Sequence, residues 1–551
     1  MSEPTHTVSN QYDAYTGYDL LATDAALDEA LTRAGAGWAR PQLQRYAHWL
    51  GRGETFELAQ QANRCGPELH AFDARGRRVD QVRFHPAWHA LSRAYRAEGL
   101  VSLPFHETRG GRWTAWAAGF YLHGQIEQGT LCPASMSTAG IPLLQREPAL
   151  WRTLETRLYS RDYDPRDLPL EEKSCVWLGM GMTEKQGGSD VRANTTAALP
   201  VGTGGRGGEY RLRGHKWFFS APHSDAHLVT ARTPDGGHAC FYVPRWRPDG
   251  SRNAILVQRL KDKVGNRSNA SAEIEFDDAW GVLMGEEGHG IRTIIEMAAL
   301  TRLTCVIGSA ALLRQALVQA LAYARRRRAF GRPLAAQPLM QALLADLALE
   351  SEAALLLALH LADCSERVQQ PQAQAWQRIL TPAAKFWVCK RAVALVAEAM
   401  EVLGGNGYVE EDALGRLYRE APVNSIWEGS GNVMCLDLLR ALARAPQLAQ
   451  VLREELAAAA REDAPLAAEA RALEAWLDRP GGVREADGRL LAQRLVLLAQ
   501  AVLMRRHAPS AAADAFIATR FGTARWGAVA GCLDDLRGVD ATALLRRALP
   551  E

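Results

Sequence analysis

Apolar positions along the chain follow three successive regimes. Up to about residue 181 they recur at helical spacing, over 20–34, 86–98 and 113–127, the last with Trp116, Phe120 and Tyr121 on one recurrent face. Near Met182 the period falls from that of a helix to that of a strand. Runs at 211–220, 226–231, 239–243, 255–260 and 272–276 alternate apolar with polar and are parted by Gly, Pro and Asp, which predicts an antiparallel sheet or small barrel. From Gly288 the helical period returns. Ile294, Ala298, Val306, Leu313, Leu317 and Leu321 make one long stripe, followed by helical patterns over 339–362 and 382–403, as in a bundle. The expected fold class is therefore mainly α with a central β-domain. It divides into an N-terminal helical domain (1–181), a middle β-domain (182–284), a helical bundle (285–444) and an added C-terminal helical domain (445–551).

A chain of 551 residues exceeds a single core and accommodates that division. Its formal charge of +2 leaves no bulk electrostatic case for nucleic acid or an anionic membrane, so only a local patch carries one. Nine cysteines, none in Cys-x-x-Cys spacing, fit neither a disulfide framework nor a zinc ribbon and point to a reducing, cytoplasmic setting. Residues 1–13 lack an apolar signal region, and no later run reaches the roughly 18 uninterrupted apolar residues of a membrane span. A soluble protein without membrane association is expected. His85 and His89 stand four apart on a predicted helix with no third ligand, so a structural or capping role is expected and no metal site.

The chemistry concentrates at Val423-Asn-Ser-Ile-Trp-Glu-Gly-Ser-Gly-Asn-Val-Met-Cys435. Trp427 offers Glu428 an apolar wall whose desolvation would raise its pKa toward the range of a general base, and Gly429 and Gly431 allow close backbone approach. On these residues alone an ordinary surface turn is the simpler account. Gly202-Thr-Gly-Gly-Arg-Gly207 matches Gly-x-Gly-x-x-Gly, but the next segment, 209–213, reads as a strand. A hairpin loop is expected there, not a dinucleotide site. Arg325 to Arg328 close a bundle helix, either as a solvated end or as a guanidinium cluster for phosphate. Gly404-Gly-Asn-Gly-Tyr408 closes another, with glycine enough for close approach by a phosphate or a second backbone.

Taken in order, Met182-Thr-Glu-Lys-Gln-Gly-Gly-Ser-Asp190, Gly214-His-Lys-Trp-Phe-Phe-Ser220, Arg327-Arg-Ala-Phe-Gly-Arg332, Gly404-Gly-Asn-Gly-Tyr408 and Ile426-Trp-Glu-Gly-Ser430 resemble the acyl-CoA dehydrogenase superfamily. The stretches 180–191, 261–271 and 424–432 closely resemble its AidB-like branch, the adaptive-response proteins to DNA alkylation. The resemblance implies FAD held between the domains and a neighbouring subunit of a homotetramer, a dimer of dimers. It makes Glu428 the catalytic base. Met182 and Thr183 would meet the flavin pyrimidine edge and Ser189 the pyrophosphate; Phe218, beside Trp217, would cover the isoalloxazine, and Ser220, where threonine is common, would reach its N5 side. Arg327, Phe330, Gly404 and Gly405 would hold the adenine and diphosphate end from the partner chain, and Ile426, Trp427, Ser430 and Asn432 complete the implied set. Four positions depart from the family pattern. Gln337 lies one residue before the usual glutamine, Glu401 stands where a glutamine often contacts the cofactor, Ala299 replaces an aspartate that helps bind CoA, and Thr301 occupies an alternative base position.

The C-terminal segment is rich in Ala, Leu and Arg and holds no lysine. The resemblance implies double-stranded DNA as a partner, with Arg440, Arg489, Arg494, Arg505, Arg506, Arg520 and Arg525 as the candidate basic face. Arginines on ordinary solvated helix faces are the alternative, since acids such as Glu454, Glu455, Asp534 and Asp535 nearly balance them. The expected function is an FAD-containing acyl-CoA dehydrogenase-like protein of the alkylation response. It would bind duplex DNA non-specifically, act weakly on a short or branched acyl-CoA, and pass electrons to an electron-transfer flavoprotein or oxygen. A full acyl-CoA dehydrogenase or oxidase with a structural C-terminal domain is the alternative.

Overall fold

The computed structural model describes residues 5–479, 482–521, 529–532 and 540–550. Its N-terminal part is largely helical, through Ala25–Arg33, Arg40–Leu50, Gly53–Arg64, Pro86–Ala97, Arg112–Ile126 and Leu131–Leu144. The helix expected over 20–34 begins only at Ala25, because Asp24 caps it by accepting from the Leu27 N–H at 3.2 Å. One element was not anticipated. Glu68–Phe72 and Arg78–Arg83 form an antiparallel hairpin among the helices, whose two strands are short and only partly buried, so that their alternation is brief.

The β-domain is a seven-stranded sheet whose ladders close on themselves. Glu209–Ser220 pairs with Ala197–Pro200 on one side and Ser271–Met284 on the other, and the circuit returns through His238–Pro244 and Ala226–Arg232. The pairing is antiparallel as expected, with two exceptions: Ala197–Pro200 meets Ala226–Arg232 in parallel at Ala197 and Arg232, and a further strand joins the same partner. Leu178–Gly181, which the sequence division left outside this domain, joins parallel to Ala226–Arg232. The loop 202–207 links two antiparallel strands, as a hairpin loop should.

The bundle is built on the 37-residue helix Gly290–Arg326, with Pro338–Cys364, Thr381–Val402, Ala413–Asn424 and Gly431–Arg444. By length and composition that first helix could cross a membrane, but its apolar window is wholly buried in the protein, as a core helix is. The C-terminal helices do not stand apart from it. Their apolar residues belong to the same core cluster, and the Arg547 guanidinium bonds both Glu352 of the bundle and Glu29 of the first helix at 2.8 Å.

Candidate functional site

Glu428 sits in the turn between Ala413–Asn424 and Gly431–Arg444, with its backbone in the left-handed region at φ 58°. A bulky non-glycine residue held there stores strain, which proteins tolerate at functional positions. Two cations, the buried Lys385 and the partly buried Arg302, fix the turn. Arg302 donates to the Glu428 carbonyl at 3.1 Å and Lys385 to the Gly429 carbonyl at 2.7 Å. Gly429 follows at φ 102°, a backbone conformation that a side chain would strain and glycine adopts freely. Arg302 is itself held by Asp437 at 2.8 Å, whose other oxygen takes Arg378 at 3.0 Å. Ala299 therefore leaves Arg302 with an acid from a different helix.

The carboxylate lies half-buried, and Thr301 donates to its Oε2 at 2.5 Å. Burial pushes the carboxyl pKa above the ordinary glutamate value, with the Thr301 hydroxyl, Lys385 and Arg302 pulling back. Thr301 thus serves as a hydrogen-bond partner of the Glu428 carboxyl. The role of Thr301, and the clamp of Arg302 and Lys385, were not read from the sequence; a lysine inside the apolar pattern of Thr381–Val402 was the one available signal.

The residues expected on the flavin side share one rim. Trp217 donates its backbone N–H to the Thr183 carbonyl at 2.8 Å, and Asn194 bonds the Met182 carbonyl at 2.7 Å, so the segment after Leu178–Gly181 lies against Glu209–Ser220. Between Lys216 and Phe219 that strand carries one residue more than its partner, a bulge. Lys216 and Phe219 stay fully buried while Phe218 turns outward, 51% exposed. Beneath the rim, Lys216 and Glu184 form an enclosed pair at 2.8 Å; Glu184 also accepts from the backbone N–H groups of Thr195 and Thr196. Ser220 ends the strand, Ser189 is exposed in the neighbouring loop, and Trp427 packs on the apolar cluster that includes Met182 and Ala221.

The remaining candidates separate. Helix Gly290–Arg326 places Thr301 and Arg327 roughly 39 Å apart at 1.5 Å per residue. Beyond it, Arg328–Ala329 and Arg332–Pro333 pair as a tight hairpin whose turn is Phe330 and Gly331, both with positive φ. Phe330 is 97% exposed. Gln337 braces this hairpin, accepting from Arg332 Nε and donating to the Ala329 carbonyl, both at 3.0 Å. Arg325, Arg326 and Arg327 bond backbone carbonyls of Leu545 and Leu549, Asp13, and Asn10 respectively, so the arginine run ties both ends of the chain to the bundle. Gly404 and Gly405 are exposed, on the turn whose Asn406 meets Tyr323.

The chain matches the AidB N-terminal domain model over residues 10–165, the acyl-CoA dehydrogenase middle domain over 179–279 and the acyl-CoA dehydrogenase C-terminal domain over 288–443. It is 48% identical to AidB of Escherichia coli (strain K12) over 93% of its own length and 94% of that protein's. It belongs to the AidB branch of the acyl-CoA dehydrogenase family. Acyl-CoA dehydrogenase family member 11 of Caenorhabditis elegans is 31% identical over 70% of this chain and 64% of that one. The crystal structure of Caenorhabditis elegans ACDH-11 in complex with C11-CoA superposes with a TM-score of 0.83 at 26% identity, covering 96% of each chain.

FAD is the cofactor of this AidB-type acyl-CoA dehydrogenase relative, and its own residues fit one. The bulge presents an exposed aromatic face at Phe218, with backbone groups of Met182 and Thr183 and the Ser220 hydroxyl on the same rim. Among the described residues no cluster of His, Cys, Asp and Glu could hold a metal. His85 serves as a cap, its Nδ1 accepting from Ala87, and His89 bonds the Tyr163 hydroxyl at 2.6 Å.

The expected DNA-facing arginines divide sharply. Arg520 is not on the surface at all: its side chain is fully enclosed against Asp346 and Glu350 of the bundle. Arg494 pairs with Glu469, Arg505 with Asp463 and Asp514, and Arg506 with Glu455. Arg489 bonds Asn432 Oδ1 at 3.0 Å, and both it and Arg440 are exposed. Arg525 lies outside the described residues.

Proposed function

We propose that Glu428 is the base of an acyl-CoA dehydrogenase half-reaction, run weakly on short or branched acyl thioesters by a protein that also binds duplex DNA without sequence preference. The observation that carries the chemistry is the half-buried Glu428 carboxylate, its pKa raised above the ordinary glutamate value by burial and its orientation set by Thr301. Glu428 takes the α-proton through its other oxygen, and the β-carbon loses hydrogen with its electron pair, leaving an α,β-unsaturated thioester. Bound FAD supplies the two-electron acceptor. Arg302 and Lys385 hold the turn so that the base is positioned before substrate arrives, and Trp427 helps exclude water.

The adenine and diphosphate end belongs to a neighbouring subunit in this reading, because Arg327 and Phe330 are too far along their helix to serve the same cofactor as Glu428. Exposed Phe330, Leu339 (88%) and Tyr408 (83%) favour a covered face in a homotetramer. Electrons leave to an electron-transfer flavoprotein or to oxygen. Arg440 and Arg489 support the duplex contact. The second reading, a full acyl-CoA dehydrogenase or oxidase whose C-terminal domain is structural, is favoured by the self-pairing of Arg494, Arg505 and Arg506 and by the burial of Arg520.

Turnover of short, branched and long acyl-CoAs, with oxygen or electron-transfer flavoprotein as acceptor, tests the choice. Slow turnover confined to short or branched chains, together with salt-dependent duplex binding, fits the first reading. Fast turnover without duplex binding fits the second.

A further inference from the structure

The indole of Trp427, next to the base, is held by two buried side-chain amides. Its Nε1–H donates to Asn424 Oδ1 at 3.1 Å, Asn424 Nδ2 donates to Gln128 Oε1 at 3.2 Å, and Gln128 Nε2 donates to the carbonyls of Gly308 at 2.7 Å and Gly124 at 3.0 Å. Both amides are buried. The relay spans the fold: Asn424 ends the helix Ala413–Asn424, Gln128 follows the N-terminal helix Arg112–Ile126 that contains Gly124, and Gly308 lies within Gly290–Arg326.

Hydrogen-bond polarity gives this relay a single direction. An indole nitrogen only donates, so Asn424 must turn its oxygen to Trp427 and its NH2 to Gln128. Backbone carbonyls only accept, so Gln128 must turn its NH2 to Gly308 and Gly124 and its oxygen to Asn424. Flipping either amide sets donor against donor and acceptor against acceptor. The backbone leaves room for this arrangement: a Cβ added to Gly308 would stand 3.2 Å from Gln128 Oε1 and 3.5 Å from Asn424 Nδ2, and one added to Gly124 would stand 3.4 Å from Gln128 Nε2. Burying two amides costs more than burying hydrocarbon of the same shape. What the fold gains is a fixed indole.

We propose that Asn424 and Gln128 are positioning residues that act through Trp427, holding its ring as the wall that screens Glu428 from water. The inference rests on the reading of Glu428 as the base. With the relay cut, the indole is free to turn, water reaches the carboxylate, and part of the burial that raises its pKa is lost. The other groups that act on Glu428 stay where they are. These are Thr301 and Arg302 on Gly290–Arg326 and Lys385 on Thr381–Val402, with the thiols of Cys132 on Leu131–Leu144 and Cys305 on Gly290–Arg326 nearby. Asn424 and Gln128 carry no charge, so their loss reaches the base through the ring.

Two measurements on the full-length FAD-loaded protein test this: the pH profile of anaerobic flavin bleaching by butyryl-CoA, and the fluorine NMR resonance of Trp427 in 5-fluorotryptophan-labelled protein, assigned by its loss in Trp427→Phe. The variants are Asn424→Leu, Gln128→Met and Trp427→Phe, with each amide change also combined with Trp427→Phe, at matched FAD content and circular dichroism. Each single change should move the acid limb down by about half a pH unit or more, and the combinations no further than Trp427→Phe alone. The Trp427 resonance should shift in both amide variants. Gln128→Met is the sharper case, because its link to the ring runs through Asn424, and it serves where Asn424→Leu folds poorly. An unchanged profile with an unmoved resonance overturns the proposal, as do shifts that add in full to that of Trp427→Phe. A parent that does not bleach, while Gln128→Met still moves the resonance, refutes Glu428 as base and leaves the relay standing.

Discussion

The Thr301 hydroxyl donates to Glu428 Oε2 at 2.5 Å, joining positions 127 residues apart. One oxygen of the base is thereby occupied, and the other is left to take a proton. Because the bond favours the carboxylate, it opposes the upward push of burial. Thr301→Val should raise the Glu428 pKa and move the acid limb of the flavin-bleaching rate up by about one pH unit, since the base works only when deprotonated. Thr301→Ser should restore the parental profile. Stopped-flow rates across the pH range check both.

Lys216 and Glu184 are an enclosed ion pair beneath the rim of Met182, Thr183 and Phe218. Lys216→Met strands the Glu184 charge and should cost about 3–5 kcal/mol in urea unfolding, with loss of FAD as the Met182 segment loosens. Lys216→Met combined with Glu184→Leu should be milder than the single change, because no charge is left unpaired. A double variant as unstable as the single would point to packing, not charge.

Glu420 is buried, and burial raises its pKa from 4.5 to about 7. The folded protein thus holds a proton that the unfolded chain releases between those values. Stability should fall as pH rises from about 4.5 to about 7, by about 3 kcal/mol from this group, and be insensitive to it above and below. Glu420→Gln keeps an acceptor for the Asn266 N–H and should flatten the profile. Denaturant melts across that window measure it.

For DNA, the exposed pair carries the prediction. Arg440→Ala with Arg489→Ala should weaken duplex binding and lower the logarithmic salt slope by roughly 2, as loss of two phosphate contacts requires. Arg520→Ala should instead destabilise the protein. Fluorescence anisotropy at several salt concentrations separates the two effects.

The order of helical and β regions was legible because burial imposed a period, and the turn that holds Glu428 because Trp427, Gly429 and Gly431 flank it. The hairpin 68–83 was not, since its strands bury little apolar surface. The bulge that turns Phe218 outward leaves no trace in composition; it is fixed by the register against Ser271–Met284. Arg520 looked like surface charge because sequence does not reveal that Asp346 and Glu350 wait in the bundle. Thr301 was visible as the wrong residue for a base, yet its service to Glu428 depends on contact across the fold.

The central claim is that Glu428 removes the α-proton. Anaerobic addition of short, branched and long acyl-CoAs to the parent protein and to Glu428→Gln, with FAD content matched, tests it most directly. Bleaching of the oxidised flavin band in the parent, slowed by at least about a thousandfold in the variant, is the predicted result. Equal bleaching in both proteins, or none in the parent with FAD fully bound, would contradict it.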